Sequence, residues 1–218
     1  MQHVFSLDDK RLTVFAKNLH GSDEQMGDLA AVIDPLFQEL APFLSLNEQV
    51  LYIRDIKEYT IDQTYVAGNT YVPNEVQIAV PAWPADATEL KACLAHELHH
   101  LARWQNAGYG KTLGQAIITE GLAVFYEEQN SGWVPPWAKA GIQTKAYAAA
   151  KAEWNSKNYN HSNWFHKGRY GKWVGYTIGY RLVKEVIFLV SSFELESSVK
   201  NEFDQDGHIT AFLSNASI

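Results

Sequence analysis

The sequence predicts an α+β fold: a mainly helical single domain in which a small antiparallel sheet precedes a helix bearing two histidines. Three observations predict it. Residues 59–82 look like a hairpin, with Ala67-Gly68-Asn69-Thr70 as a turn and Val76, Ile78 and Val80 alternating with Gln77 and Ala79. Leu90, Leu94, Leu98 and Leu101 then recur on one helix face, and Trp173, Tyr176, Tyr180, Val183 and Ile187 form a second such stripe. At 218 residues, 46% of them apolar, the chain holds enough material for one core, so one domain over 1–218 is expected. Its parts are an N-terminal strand and helix segment (1–58), the sheet with two central helices (59–130), and a helical remainder (131–218).

Element by element, the first twenty residues are weakly patterned, with Val4, Phe5, Leu12, Val14 and Phe15 able to make a short strand or a helix. Ser22-Asp23-Glu24-Gln25 offers a helix N-cap, and Leu29, Ile33, Leu36, Phe37 and Leu40 carry the helix on. Pro35 is placed to kink or split it. Glu48 to Ile56 reads as a strand. In the hairpin, Ala67-Gly68-Asn69-Thr70 supplies the turn, and Val76, Ile78 and Val80 form the second strand, whose start Pro73 demotes to an edge or bulge. That strand directly precedes the histidine helix, so its open edge could add an extended peptide; an edge blunted by proline is the alternative.

Asp86-x-x-Glu89 caps the histidine helix, which spans about 87–103 before Asn106 to Gly110 breaks it. Thr112-x-x-Gln115 caps the next helix, reaching about Gln129. Trp133 to Trp137 makes a stiff proline loop, 138–154 an Ala- and Lys-rich helix, and 155–170 a loop. The last helix starts near Gly171, with Gly175 and Gly179 allowing close approach of another element.

The chemistry concentrates in His96-Glu97-x-x-His100. Residues at i and i+4 share a helix face, so both imidazoles can reach one metal ion, while Glu97 stands at its rim and can take a proton from a bound water. Glu120 falls in the apolar stripe of the next helix, with Leu113, Ile117 and Val124. A carboxylate there is costly unless a cation compensates it. A buried salt bridge would do so; beside two histidines, a third metal ligand fits better. Two imidazoles and one carboxylate suit a tetrahedral Zn2+ with one open position, and Glu97 would act as general base and then general acid.

An oxyanion donor is expected from Tyr176 or Tyr180, one turn apart, ahead of His161 and His166; ordinary core packing is the competing role for either tyrosine. His99 is expected at the surface or behind the ligands. Asp204-Gln205-Asp206-Gly207 resembles part of a calcium loop, but its closing position is Leu213, so a turn with an N-cap is expected.

Composition narrows the partners. A net charge of -7 argues against nucleic acid and against an anionic membrane surface. Cys93, the single cysteine, excludes an internal disulfide and is expected to be a buried, inert thiol. Asp8, Asp9 and Lys10 stand where a signal peptide needs an apolar run, and Val186 to Val190 is far too short to span a bilayer. The expectation is a soluble cytoplasmic protein, with its oligomeric state left open.

His96-Glu97-x-x-His100 with Glu120 resembles the gluzincins, the thermolysin-like zinc peptidases whose third ligand is a glutamate on the next helix. Within them the chain is similar to bacterial predicted zinc-dependent proteases catalogued as a domain of unknown function. The segments that carry this are Leu94 to His100, Ile118 to Ala123, Trp164-Phe165 and Gly175 to Tyr180, over roughly 70–190. The resemblance implies a peptidase with zinc on His96, His100 and Glu120, Glu97 as base, and strand, metal helix and ligand helix in one α+β unit. Thermolysin-like enzymes place an Asp one turn after the third ligand to orient a zinc histidine; Val124 stands there instead. Glu127, one turn further on, or a backbone carbonyl must then take that role. The expected function is zinc-dependent hydrolysis of a peptide or protein substrate. The alternatives are a non-catalytic zinc or peptide-binding protein, and a zinc hydrolase of a non-peptide amide or ester.

Overall fold

The weakly patterned N-terminus is two strands, β1 (Gln2–Leu7) and β2 (Lys10–Lys17), in a computed structural model that describes residues 2–17, 19, 23–62, 64–189 and 199. Asp8, at φ 52, lets them fold back in antiparallel register from Leu7↔Lys10 to Gln2↔Phe15. Helix α1 (Asp23–Leu40) then carries the chain across to β3 (Glu48–Asp55), which lies parallel to β2. A helical crossover returns the chain to the end of the sheet it left, which is why these strands run parallel. Strands β4 (Ala67–Val72) and β5 (Glu75–Val80) form the antiparallel hairpin, and β5 pairs in parallel with β3. The sheet order is β1-β2-β3-β5-β4. The sheet is therefore mixed, where an antiparallel one was expected.

Two local expectations change with it. The hairpin turn is Pro73-Asn74, and Ala67 to Thr70 are strand. Proline suits the turn because its fixed φ and missing N–H cost nothing there. The edge strand beside the histidine helix is thus β4, while β5 is internal. Pro35 leaves α1 continuous from Asp23 to Leu40; Ser22 and the Asp204 to Leu213 segment lie outside the described residues.

The chain divides into two units, Met1–Asn106 with Tyr126–Trp133, and Ala107–Phe125 with Val134–Ile218. In the first, alternate residues of the sheet (Leu12, Val14, Leu51, Ile53, Val76, Ile78) are buried, along with the stripes of α1 and of α2 (Ala87–Asn106). Each such buried leucine or isoleucine contributes about 1.5–3 kcal/mol, which ties the histidine helix to the sheet. Asp86 Oδ1 caps α2, accepting from the amides of Thr88 and Glu89 at 3.0 and 2.9 Å.

In the second unit, Thr112 and Gln115 form the expected reciprocal cap of α3 (Leu113–Ser131), a helix whose last residues belong to the first unit. After a short turn at Pro136–Ala138 come α4 (Thr144–Glu153), α5 (His161–Phe165), the two-residue strands β6 (Lys167–Gly168) and β7 (Gly171–Lys172), and α6 (Val174–Leu189). The 155–170 stretch is therefore partly ordered rather than all loop: Asn160 caps α5, and Trp164 and Phe165 are buried in a cluster with Ile117, Tyr147 and Ile178. Gly121 and Gly179 let α3 and α6 meet backbone to backbone, since a Cβ on Gly179 would collide with the Ile117 carbonyl oxygen. No described helix is long and apolar enough to cross a membrane.

Candidate metal centre

Helix α2 presents His96, Glu97, His99 and His100 in its buried middle, at 8%, 5%, 0% and 5% exposure. The i, i+4 spacing brings the two ligand candidates together as expected: their rings meet edge to face at 4.6 Å, and their Nε2 atoms are 3.0 Å apart. Two nitrogens on a tetrahedral zinc at bond lengths of about 2.0–2.1 Å sit roughly 3.4 Å apart, so the pair is close to ligating geometry. His99 is fully buried against Tyr126, with ring centroids 5.5 Å apart, which excludes the surface alternative of the two places expected for it.

Glu97 is held from β4. Thr70 Oγ1 donates to Glu97 Oε2 at 2.7 Å, within the buried interior. Two residues earlier in the strand, on the same face of the pleat, Gly68 leaves space: a Cβ there would stand 2.6 Å from Glu97 Oε1 and nearer still to Cγ. Neither residue was singled out from the sequence as a partner of Glu97. Turn chemistry is what the sequence suggests for Gly68, whereas its role in the fold is the room it leaves.

His96 Nδ1 lies 3.1 Å from Glu127 Oε2, and Glu127 is 1% exposed. A carboxylate on Nδ1 keeps the proton there and leaves the Nε2 lone pair facing His100. Glu127 thus stands in the orienting position that the Val124 departure had left to it or to a carbonyl; Val124 itself is buried.

Glu120 is 3% exposed on α3, and the Tyr109 hydroxyl donates to its Oε1. Tyr109 sits in the connection between α2 and α3, flanked by Gly108 and Gly110 at positive φ and tied by its carbonyl to Thr119 Oγ1 at 3.1 Å. Burial first, and then the charge of Glu120, push the Tyr109 phenol up, so it remains a donor at neutral pH. Sequence reasoning missed Tyr109, whose one signal was an aromatic residue set between two glycines in an otherwise polar break.

His161, Tyr159 and Tyr176 complete this neighbourhood. Burial lowers His161, against the opposing pull of Glu120, while burial and then Glu120 raise the Tyr159 phenol. His161 stacks on Phe165 at 4.5 Å, with His166 5.5 Å away, and Tyr176 packs edge-on against the same Phe165 at 5.3 Å. Tyr180, one turn along α6, is buried with Lys184 Nζ 3.3 Å from its hydroxyl.

His96, His100 and Glu120 each offer a ligand atom, and these atoms lie within 4.8 Å of one another. The donor set, two imidazole nitrogens and a carboxylate oxygen, all buried, fits a zinc ion. Cys93 stays outside it and is half-buried, where a core position was expected; desolvation first, then the charge of Glu97, raises its thiol well above the ordinary range, which keeps it unreactive.

No curated protein matches the chain. Among solved structures, an aminopeptidase N family protein from Idiomarina loihiensis shares the fold with a TM-score of 0.55 at 11% identity. The match covers 100% of this chain and 42% of that one, so the chain spans less than half of that protein's length. Residues 32–200 match the family described as "Predicted Zn-dependent protease (DUF2268)".

Proposed function

The chain belongs to the family described as predicted Zn-dependent proteases, and on that premise we propose that it is a metallopeptidase holding zinc on His96, His100 and Glu120, with Glu97 as general base. One observation carries this reading: a buried His-His-Glu donor set with a buried glutamate beside it whose one oxygen is tethered. A purely structural zinc site needs no base at its rim. Zinc bound there supplies Lewis acidity, polarising the scissile carbonyl and making a water acidic enough to ionise near neutral pH.

The chain's own groups do the rest. With Oε2 held by Thr70, Glu97 Oε1 is the atom that takes the proton of the attacking water and returns it to the leaving amine. Glu127 fixes the His96 tautomer, and Tyr109 holds one oxygen of Glu120. Of the two tyrosines expected to stabilise the oxyanion, Tyr176 is better supported, because it packs on the same Phe165 ring as His161, a residue in the field of Glu120. An extended peptide is the fitting substrate, since β4 ends the sheet beside Glu97 and its outer edge can pair with another strand.

The test compares peptide-library cleavage by the zinc-loaded chain and by Glu97→Gln, with zinc content measured for both. The variant should keep its zinc and lose about two to four orders of magnitude in turnover. Full activity in it removes the general-base role. Undiminished zinc in His96→Ala and Glu120→Ala removes the ligand set. Zinc without cleavage in the parent leaves a non-catalytic zinc protein.

A further inference from the structure

A cavity of about 420 Å³ opens on the side of β4 away from Glu97. Because side chains alternate along a strand, Gly68 and Thr70 turn toward α2 while Asn69 and Tyr71 line this cavity. Arg54 from β3, Gln77 from β5 and Tyr59 from the turn after β3 complete its polar lining. Its size falls in the lower part of the range usual for small-molecule sites, about 300–1,000 Å³.

Arg54 is the one formally charged residue in that lining. Its guanidinium rests over the Tyr52 ring at 5.2 Å, which fixes its plane but accepts no N–H bond well. Among the described residues no carboxylate pairs with it, and its Nε is buried without a hydrogen-bond partner. A buried N–H left this way is unfavourable, and a carboxylate oxygen is the acceptor that a guanidinium fork matches best. The amide of Asn69 and two phenols add neutral donors, while the Gln77 amide donates to Glu75 Oε1 at 2.6 Å. One cation with neutral donors suits a single negative charge; phosphate sites gather several cations or a helix N-terminus. At the rim, Tyr59 and Tyr71 are 75% and 73% exposed, offering ring surface to the body of a ligand.

We propose that this cavity binds a carboxylate-bearing molecule of amino-acid to dipeptide size, with Arg54 pairing the carboxylate and Tyr59 and Tyr71 covering the ligand body. The site is separate from the metal centre and does not depend on the peptidase reading. Two sources share this chemistry, a free N-blocked amino acid and the C-terminal residue of a peptide.

Ligand-detected NMR titration to millimolar concentration tests it, on the full chain both zinc-loaded and chelator-treated. The probes are N-acetyl-tyrosine against its amide, and a pentapeptide with a free C-terminus against its amidated form. In at least one pair the acid should bind tenfold or more tighter than the amide, with or without metal, and Arg54→Gln should abolish that preference. Tyr71→Ala, at an exposed position, should weaken the acid several-fold. The pair that shows the preference identifies the source. Equal binding of acid and amide, binding of neither pair, a preference that disappears with the metal, or one that survives Arg54→Gln each overturns the proposal. The acid-against-amide comparison on the unsubstituted chain stands even if Arg54→Gln misfolds.

Discussion

Glu97 depends on two neighbours in β4 that act by different means. Thr70 offers a hydrogen bond, and Gly68 offers space. Gly68→Ala pushes a methyl group into Glu97, and a displacement of about 1 Å at a catalytic group costs on the order of a hundredfold in rate. We expect kcat to fall by at least about that factor while zinc content and secondary structure hold, as measured by peptide turnover, metal analysis and circular dichroism. Glu127→Gln tests the other side of the site. It keeps a group on His96 Nδ1 but removes the charge that orients the ring, and zinc affinity should drop about 10–100-fold in a competitive chelator titration. At this scale the sequence exposed the residues whose spacing is itself the signal: His96, Glu97, His100 and, on the next helix, Glu120. Thr70 and Tyr109 left no such mark, because what each does is set by a chain segment it meets only after folding.

Elements were legible where one local rule decides them. The caps at Asp86 and at Thr112 with Gln115 stand where their side-chain chemistry puts them, and the apolar stripes of α1 and α2 bury the faces they predict. In α6 the fully buried face runs through Val174, Ile178, Leu182 and Val186, while Trp173, Tyr176 and Ile187 of the expected stripe are half-buried. The hairpin turn was misplaced because Gly-Asn satisfies turn chemistry as well as Pro-Asn does, and only the tertiary neighbour tells them apart. Strand direction was illegible for a related reason: alternation marks a buried face but says nothing of which strand pairs with which. The crossing of α3 and α6 supplies a test of packing. Gly179→Ala sets a methyl against the Ile117 carbonyl, and overpacking of this kind costs about 1–3 kcal/mol. The melting temperature should fall by roughly 3–10 °C, and an unchanged value would show that the helices separate without cost.

For the whole molecule, the comparison with the aminopeptidase N family protein shows how little sequence the backbone path requires. At 11% identity the full chain still follows part of that longer protein. In this chain the pattern of buried and exposed positions was legible in β3, β5, α2 and α3 but not in β4, whose first residues the sequence places in a turn. On the proposed function zinc adds to this frame, since a metal that binds only the folded state stabilises it by mass action. Chelation should therefore lower the melting temperature, and added zinc should restore it. An unchanged transition in a scanning calorimeter would mean the three donors hold nothing tightly.

The vacant position opposite Glu97 has a practical use. On the proposed function, a single methyl at residue 68 would disarm the chain by displacing Glu97 while removing none of the charged groups at the site. Such a chain should still recognise what it can no longer cut, and so could serve as bait for retrieving its physiological targets intact.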